Sequence, residues 1–241
     1  MKEQNWFAVL LDFSIVVIGV FIGLQVANLN DERVNDGLRA EYLTGLIADL
    51  KADIEEAKRV ESIAWERFGA IEDIFEVAAL ETPLHEYFVF GEVNKAPPVP
   101  DVSYEYPFAH NHVLSYVDLF GATQDTFAAL VSNGHFQLLD EPELIRSFQS
   151  YNRLVSEVQA FDEAITLVFR RVSDFRSRHG ISLGGRTTLE DLATAVEADP
   201  QLAAELDSYF MNSGVQAARM LEIRAAAKAL IHSVETAQQR R

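Results

Sequence analysis

The sequence contains no cysteine. A chain without thiols has no disulfide framework, no thiolate zinc site and no catalytic cysteine. Basic residues are also scarce, because 20 lysines and arginines stand against 37 acidic residues and the formal net charge is −17. The phosphates of nucleic acids and the headgroups of anionic lipids repel a chain of this charge. We therefore predict that nucleic acid is not a partner.

The sequence also lacks the motifs of common enzymes. Its histidines form no H-E-x-x-H pattern, and Gly184-Gly185 lacks the preceding strand and the further residues of a phosphate-binding loop. No nucleophile motif, paired-carboxylate signature or redox motif is present. These absences predict a protein that is not an enzyme and that carries no cofactor.

One long hydrophobic run is present, and the chain is organised around it. As a helix, residues 6–29 span about 36 Å, which exceeds the bilayer's hydrocarbon core of about 30 Å. The apolar side chains of the run outweigh the cost of Asp12, which lies off its centre. We therefore predict a transmembrane anchor at residues 1–30, in contact with the lipid bilayer, and a helical domain at residues 31–241.

Two other interpretations of this run are a buried core helix of a soluble protein and a cleaved signal peptide. The signal peptide is disfavoured because the basic start is Lys2 alone. The run also continues through residues 25–27 without a small-residue cleavage site. Its length and continuity favour a membrane span.

Small and polar residues share one face of the predicted membrane helix. At about 100° per residue, this face carries Asp12, Gly19, Gly23, Ala27 and Asn30. Small residues spaced four apart let a second helix approach closely in lipid, where no hydrophobic effect drives helices together. A carboxylate on the same face needs a partner or water. We predict that this contact face meets another membrane helix, in a homo-oligomer or in a membrane-protein partner.

The run from Asp12 to Arg33 reads D-F-S-I-V-V-I-G-V-F-I-G-L-Q-V-A-N-L-N-D-E-R. It resembles an uncharacterised family of bacterial single-pass membrane proteins, in which an acidic residue precedes V-V-I-G-x-x-I-x-L-Q-x-x-N-W-N-E-x-R and a helical domain follows. A looser resemblance covers residues 126–144. The chain departs from the family pattern at Asp12, where Glu is usual, and at Leu29, where Trp is usual. The resemblance implies architecture and topology, and no activity.

The charges that flank the run do not decide its orientation. Lys2 and the amino terminus precede it, whereas Arg33 and Arg39 follow it among acidic residues, so the basic counts are nearly balanced. Members of the resembling family are more basic ahead of the anchor, which implies a cytoplasmic N-terminus. On this resemblance we expect a bacterial inner-membrane protein with a periplasmic C-terminal domain.

Helical periodicity continues beyond the hydrophobic run. Apolar residues recur every three or four positions from residue 38 to about residue 80, with Gly69 as a soft point and Pro83 beyond the end. Such a stripe is usually a bundle core and only sometimes a homo-oligomeric coiled coil. Asp49 and Asp53 are expected on the opposite, solvated face.

Four further helices are predicted in the second half of the chain. They are expected at residues 123–131, from Asp140 to about Arg178, from Thr187 to Ala198, and from Pro200 onward. Gly134 and Gly180 suit the left-handed cap that ends a helix. The predicted fold class is all-α, with one N-terminal transmembrane helix that continues into an antiparallel helical bundle.

A long insert interrupts this bundle at about residues 81–120. Its prolines exclude a helix interior near residues 97–100, and a short strand is predicted at residues 87–90. The insert is rich in aromatic residues, which suit a packed lid or a binding surface. Packing against the bundle is the simpler interpretation. A candidate surface for a ligand or partner comprises Tyr104, Tyr106, Phe108, His110 and His112.

The insert also holds the one pattern that suggests a metal. Two imidazoles of a His-x-His sequence can point toward one ion if the backbone is extended, and nearby carboxylates can complete a site. The residues concerned are Asp101, Glu105, His110 and His112. No stronger ligand motif accompanies them, so we predict no metal site.

Two functions from different classes fit these features. The first is a membrane-anchored helical interaction or scaffold protein, self-associating or an accessory subunit of a membrane complex. The second is an extracytoplasmic ligand-binding or sensory module that uses the aromatic insert. A concave pocket lined by aromatic residues of the insert and a converging charge favours the second, and a flat, exposed apolar stripe on the long helices favours the first.

Overall fold

The computed structural model describes residues 6–81, 104, 107–139, 141–182 and 184–239. Within these ranges every regular element is a helix, which confirms the all-α prediction. The elements are α1 (Trp6–Val77), α2 (Ala109–Val113), α3 (Asp125–Ser132), a 3-10 helix (His135–Leu139), α4 (Pro142–Arg178), α5 (Leu189–Ala198) and α6 (Pro200–Gln239). The strand predicted at residues 87–90 lies outside the described residues.

Helix α1 is a single element of 72 residues and is about 108 Å long. It contains no proline, and it passes Gly69 without a break. Side chains from Leu10 to Gly37 are almost all exposed, whereas burial begins at Arg39 and recurs every three to four residues. The N-terminal part of α1 therefore makes no packing contact with the described domain, whereas the part from Arg39 onward lies at its centre.

Helix α6 packs antiparallel to α1. The end of the bundle next to the exposed N-terminal segment of α1 is called the anchor end. At this end Leu43 of α1 shares an apolar cluster with Val234 of α6. Toward the far end, the ring of Phe68 stacks on Phe210 with 3.9 Å between centroids. Residue numbers thus rise along α1 as they fall along α6, so the C-terminal turns of α6 lie at the anchor end.

Helix α4 packs against α6 and runs in the same direction as α1. Leu144 and Phe148 contribute to the core at the anchor end, and Val168 and Val172 contribute to the core at the far end. The two cores are consecutive apolar clusters that α1, α4 and α6 all line. The predicted antiparallel bundle is therefore built from three long helices with α6 reversed.

Local signals at the helix ends are mostly those predicted. Gly134 and Gly180 take positive φ values of 71° and 72°, as a left-handed cap requires. Helix α5 begins one residue later than expected, because Thr188 and Asp191 form the capping box. Glu141 occupies the position before α4 and makes no side-chain cap bond, and Asp140, where this helix was expected to begin, lies outside the described residues.

Candidate functional site

The apolar part of α1 is long and hydrophobic enough to cross a membrane, and its most hydrophobic window is 0% buried in the fold. Its large apolar side chains from Leu10 to Leu29 are between 48% and 65% exposed. A continuous apolar surface of this extent is not stable in water and needs lipid or a partner. The interpretation as a core helix is therefore wrong, because no element of the described fold covers this segment.

The predicted contact face lies on this exposed segment. A Cβ atom placed on Gly19 or Gly23 meets nothing within 4 Å, and Ala27 and Asn30 are exposed. The backbone of Asp12 is helical, and its side chain lies outside the described residues. Nothing in the described fold occupies the face, so its role as a contact surface stays a prediction.

Two of the five insert residues predicted as a binding surface, Tyr104 and His110, are held against α1. Tyr104 donates its hydroxyl hydrogen to the Glu66 carbonyl at 2.6 Å, and its ring lies 4.1 Å from that of His110. His110 Nε2 is 2.7 Å from an oxygen of Asp73 on α1, and His110 is 8% exposed. Burial raises the pKa of Tyr104. These contacts fasten the insert to the bundle.

The other members of that predicted surface do not join this cluster. Phe108 precedes α2, and Tyr106 lies outside the described residues. His112 is exposed and meets the ring of Tyr116 edge-on. A metal site on His110 and His112 would need an extended backbone, but both histidines lie on the helix α2. Residues two apart on a helix point about 160° away from each other, so the imidazoles diverge.

Metal ligands do not converge elsewhere in the described part of the chain. Across those residues, no group of three or more histidine and acidic side chains is arranged to hold an ion. Asp101 and Glu105, the carboxylates of the weak metal pattern, lie outside the described residues. The prediction that the chain has no metal site therefore stays a prediction.

A second set of contacts ties the end of the insert to α4. Asn111 is 1% exposed and donates to the carbonyls of Ser182 and Gly185 at 3.2 and 3.0 Å. Arg176 on α4 donates to the carbonyls of Leu114 and Asn111 at 2.8 and 3.2 Å, and also to the Asn111 side-chain oxygen. Burial lowers the pKa of Arg176 to about 10. The guanidinium thus caps the carbonyl groups that end α2.

The third set is a buried polar chain through the centre of the bundle. Arg67 is 0% exposed and donates to Ser213 Oγ at 2.7 Å and to Gln216 Oε1 at 2.6 Å. Its guanidinium lies 4.7 Å from the centroid of the Tyr209 ring. A charge this deeply buried is stable only when such partners replace its hydration.

Gln216 extends this chain from Arg67 to Asp162 on α4. Its Nε2 donates to the Asp118 carbonyl at 2.8 Å and lies 3.4 Å from Asp162 Oδ1. Asp162 Oδ2 accepts the backbone amide of Phe120 at 3.1 Å. Burial raises the pKa of Asp162 to about 6. One glutamine therefore connects a buried cation, a buried carboxylate and the last residues of the insert.

Two of the acidic residues assigned to a solvated face also serve the fold. Asp53 is 1% exposed, which contradicts that assignment. Asp49 accepts the backbone amide of Thr126 at 2.9 Å, so a residue of α1 caps the first turn of α3.

The sequence pattern could have identified Asp162 as a buried residue, because it lies four residues after Val158 and three before Ile165 on the apolar face of α4.

Comparison with protein-family profiles, with curated proteins and with solved structures yields no match. The resemblance of residues 12–33 to an uncharacterised bacterial family is therefore neither supported nor opposed.

Proposed function

We propose that this chain is a membrane-anchored helical interaction protein of the bacterial inner membrane, without catalytic activity. The observation that carries the proposal is the continuity of α1, whose N-terminal part is exposed and apolar while its C-terminal part lines both cores. A helix with this division joins a lipid-facing segment to a folded domain without a flexible linker.

The spacing along α1 supports a bundle that lies close to the bilayer. Residues 30–38 separate the apolar run from the first buried side chain, and as a helix they cover about 14 Å. The polar headgroup region occupies about 5 to 8 Å of that distance. The anchor end of the bundle would then sit within about one helix diameter of the headgroups, with its orientation fixed by the helix.

The contact face supports association through the membrane segment. Gly19 and Gly23 leave a shallow groove on an otherwise bulky apolar helix, and close backbone approach is the main source of helix affinity in lipid. The self-associating form of the proposal places two copies face to face along this groove. The accessory-subunit form places a helix of another membrane protein there.

A substitution pair tests this proposal in the native membrane. Gly23→Leu fills the groove and should weaken the self-association or co-purification of the full chain by about 1 to 2 kcal/mol. Leu24→Ile changes a neighbouring exposed residue off the contact face and serves as the matched control. Chemical cross-linking in membranes, followed by purification in mild detergent, measures the associated fraction. Equal association of both variants would contradict a role for the groove.

A further inference from the structure

A cavity of about 500 Å³ opens on the side of the bundle, beside the last residues of the insert and the middle of α4. Its volume lies within the range of about 300 to 1,000 Å³ typical of small-molecule sites. The lining includes Leu119, Phe120, Asp162, Glu163, Leu167 and Arg170. The cavity is distinct from the contact face of the membrane segment, and its ligand is independent of the proposed interaction function.

The cavity walls are mainly apolar and include exposed large side chains. Leu119 is 41% exposed and Leu167 is 50% exposed, whereas Phe120 is buried at 3%. Most large apolar side chains of the bundle lie in the two cores, so the meeting of Leu119 and Leu167 at one opening is unusual. Such walls suit the apolar body of a ligand, because its contact removes their surface from water.

The polar end of the cavity is a carboxylate that the fold holds in place. Asp162 is 5% exposed, and its two oxygens accept from the Phe120 amide and from Gln216. A carboxylate has about four acceptor positions, so its capacity for hydrogen bonds is not exhausted. Glu163 adds a second acidic group to the lining. Arg170, the cation of the lining, lies about 12 Å farther along α4 than Asp162.

We infer that this cavity binds a small organic cation, a primary ammonium group on an apolar body. The ammonium donates its hydrogens to Asp162 and Glu163, while the body lies between Leu119, Phe120 and Leu167. An anionic ligand of the same shape meets the carboxylates instead and is repelled. A neutral ligand makes the same contacts with the walls but lacks the charge that attracts the ammonium group to Asp162.

Calorimetric titration of the full chain in nanodiscs of zwitterionic lipid tests this inference. The probe is 2-phenylethylammonium, with the neutral isostere 2-phenylethanol and the anion phenylacetate as comparisons. We expect saturable binding of the ammonium at millimolar concentration, and binding at least about tenfold weaker for the alcohol and the acid. Equal affinity for the alcohol, or no saturable binding of the ammonium, would overturn the inference.

Variants locate the binding. Asp162→Asn should weaken ammonium binding at least about tenfold, because it removes the buried charge and keeps the side-chain shape. Glu157→Gln removes the same unit of charge from an exposed position on α4 that does not line the cavity, and it should bind as the natural chain does.

Leu167→Ala supplies a second variant at an exposed site where folding is not at risk. It should weaken binding about threefold or more, since it removes one apolar wall. Unchanged affinity in both Asp162→Asn and Leu167→Ala would assign any observed binding to another part of the molecule and overturn the inference.

Discussion

The hydroxyl of Tyr151 on α4 donates a hydrogen bond to Asp53 Oδ2 on α1 at 2.6 Å. The other oxygen of Asp53 accepts the backbone amide of Thr123 at 2.6 Å. Both side chains are nearly buried, with 1% of Asp53 and 5% of Tyr151 exposed. One carboxylate thus joins two long helices to the segment before α3, and burial raises its pKa despite these donors.

Tyr151→Phe should destabilise the protein by about 1 to 3 kcal/mol, because a buried carboxylate oxygen loses its donor. The bond from Tyr151 lowers the pKa of Asp53, so its loss raises that pKa further. The charged form of Asp53 loses more stabilisation than the protonated form. The loss of folding stability should therefore be larger at neutral pH than near pH 4. Chemical denaturation of the full chain in mild detergent, followed by circular dichroism, measures both values.

Tyr42→Phe provides the comparison for this experiment. Its hydroxyl lies 2.9 Å from His135 Nδ1 and is only partly buried, with no carboxylate in the bond. We expect a loss below about 1 kcal/mol at neutral pH. A Tyr151→Phe variant as stable as the natural chain at neutral pH would show that the Asp53 contact contributes nothing.

Gly45→Ala should lower the free energy of unfolding even though alanine favours helices. A Cβ atom at Gly45 would lie 2.8 Å from both Cγ2 and Oγ1 of Thr126, so α1 and α3 would be forced apart. Overpacking of this kind costs about 1 to 3 kcal/mol, against a gain of about 1 kcal/mol in helix propensity. Denaturation of the full chain measures the net change.

Gly37→Ala is the matched control on the same helix, because a Cβ atom at Gly37 meets nothing within 4 Å. It should leave stability unchanged or raise it by up to about 1 kcal/mol. Adding Thr126→Ala to Gly45→Ala should recover part of the loss, since it removes both contacting atoms. Equal stability of the Gly45 and Gly37 variants would refute close packing at this crossing.

Asp162→Asn should flatten the pH dependence of stability. Folding raises the pKa of Asp162 from 3.8 to about 6, so the folded chain holds this proton more tightly than the unfolded chain. The stabilisation is complete below about pH 4 and is lost as the pH rises through about 6. As the pH rises between these limits, the free energy of unfolding of the variant should therefore increase relative to that of the natural chain by up to about 3 kcal/mol.

Denaturation at several pH values checks this slope. Glu157→Gln, at an exposed position of α4, should retain the slope of the natural chain. A slope that is the same in Asp162→Asn would mean that another group titrates in this window.

The topology prediction is tested by fusion at the C-terminus. A reporter placed after Arg241 should be active when it depends on the periplasm, because the resemblance implies a cytoplasmic N-terminus and α1 offers one span. A reporter that functions only in the cytoplasm is the paired fusion and should stay silent. Activity of that second reporter would reverse the orientation.

Most of the helical architecture is predictable because each long helix carries its own periodicity. The stripe that begins near Leu43 and continues past Phe68 is visible in the sequence and is buried in the fold. Helix ends are predictable to about one residue where a glycine or a capping side chain marks them, as at Gly180 and Thr188. Local rules suffice for these features because they depend on neighbours in sequence.

The buried polar contacts were not predictable, because their partners are distant in sequence. Arg67 meets Ser213 and Gln216 across 146 and 149 residues, and no local pattern pairs them. A charged residue on a helix is by default assigned to the solvated face. Asp162 differs from the other acidic residues of α4 only in that it falls on the apolar face of the helix. Packing of the insert against the bundle was expected, but its specific partners were not predictable for a similar reason, since Tyr104 and His110 find them on α1.

The unbroken length of α1 makes it a stiff lever. From Arg39 to Val77 the helix extends about 57 Å beyond the exposed segment. In the proposed membrane-anchored arrangement, tilting the apolar segment by about 10° displaces the far end of the bundle by about 10 Å. Helices tilt when the bilayer becomes thinner than their apolar length. A change in membrane thickness would thus reach the distal surface of the domain as a sideways movement, amplified by the helix that carries it.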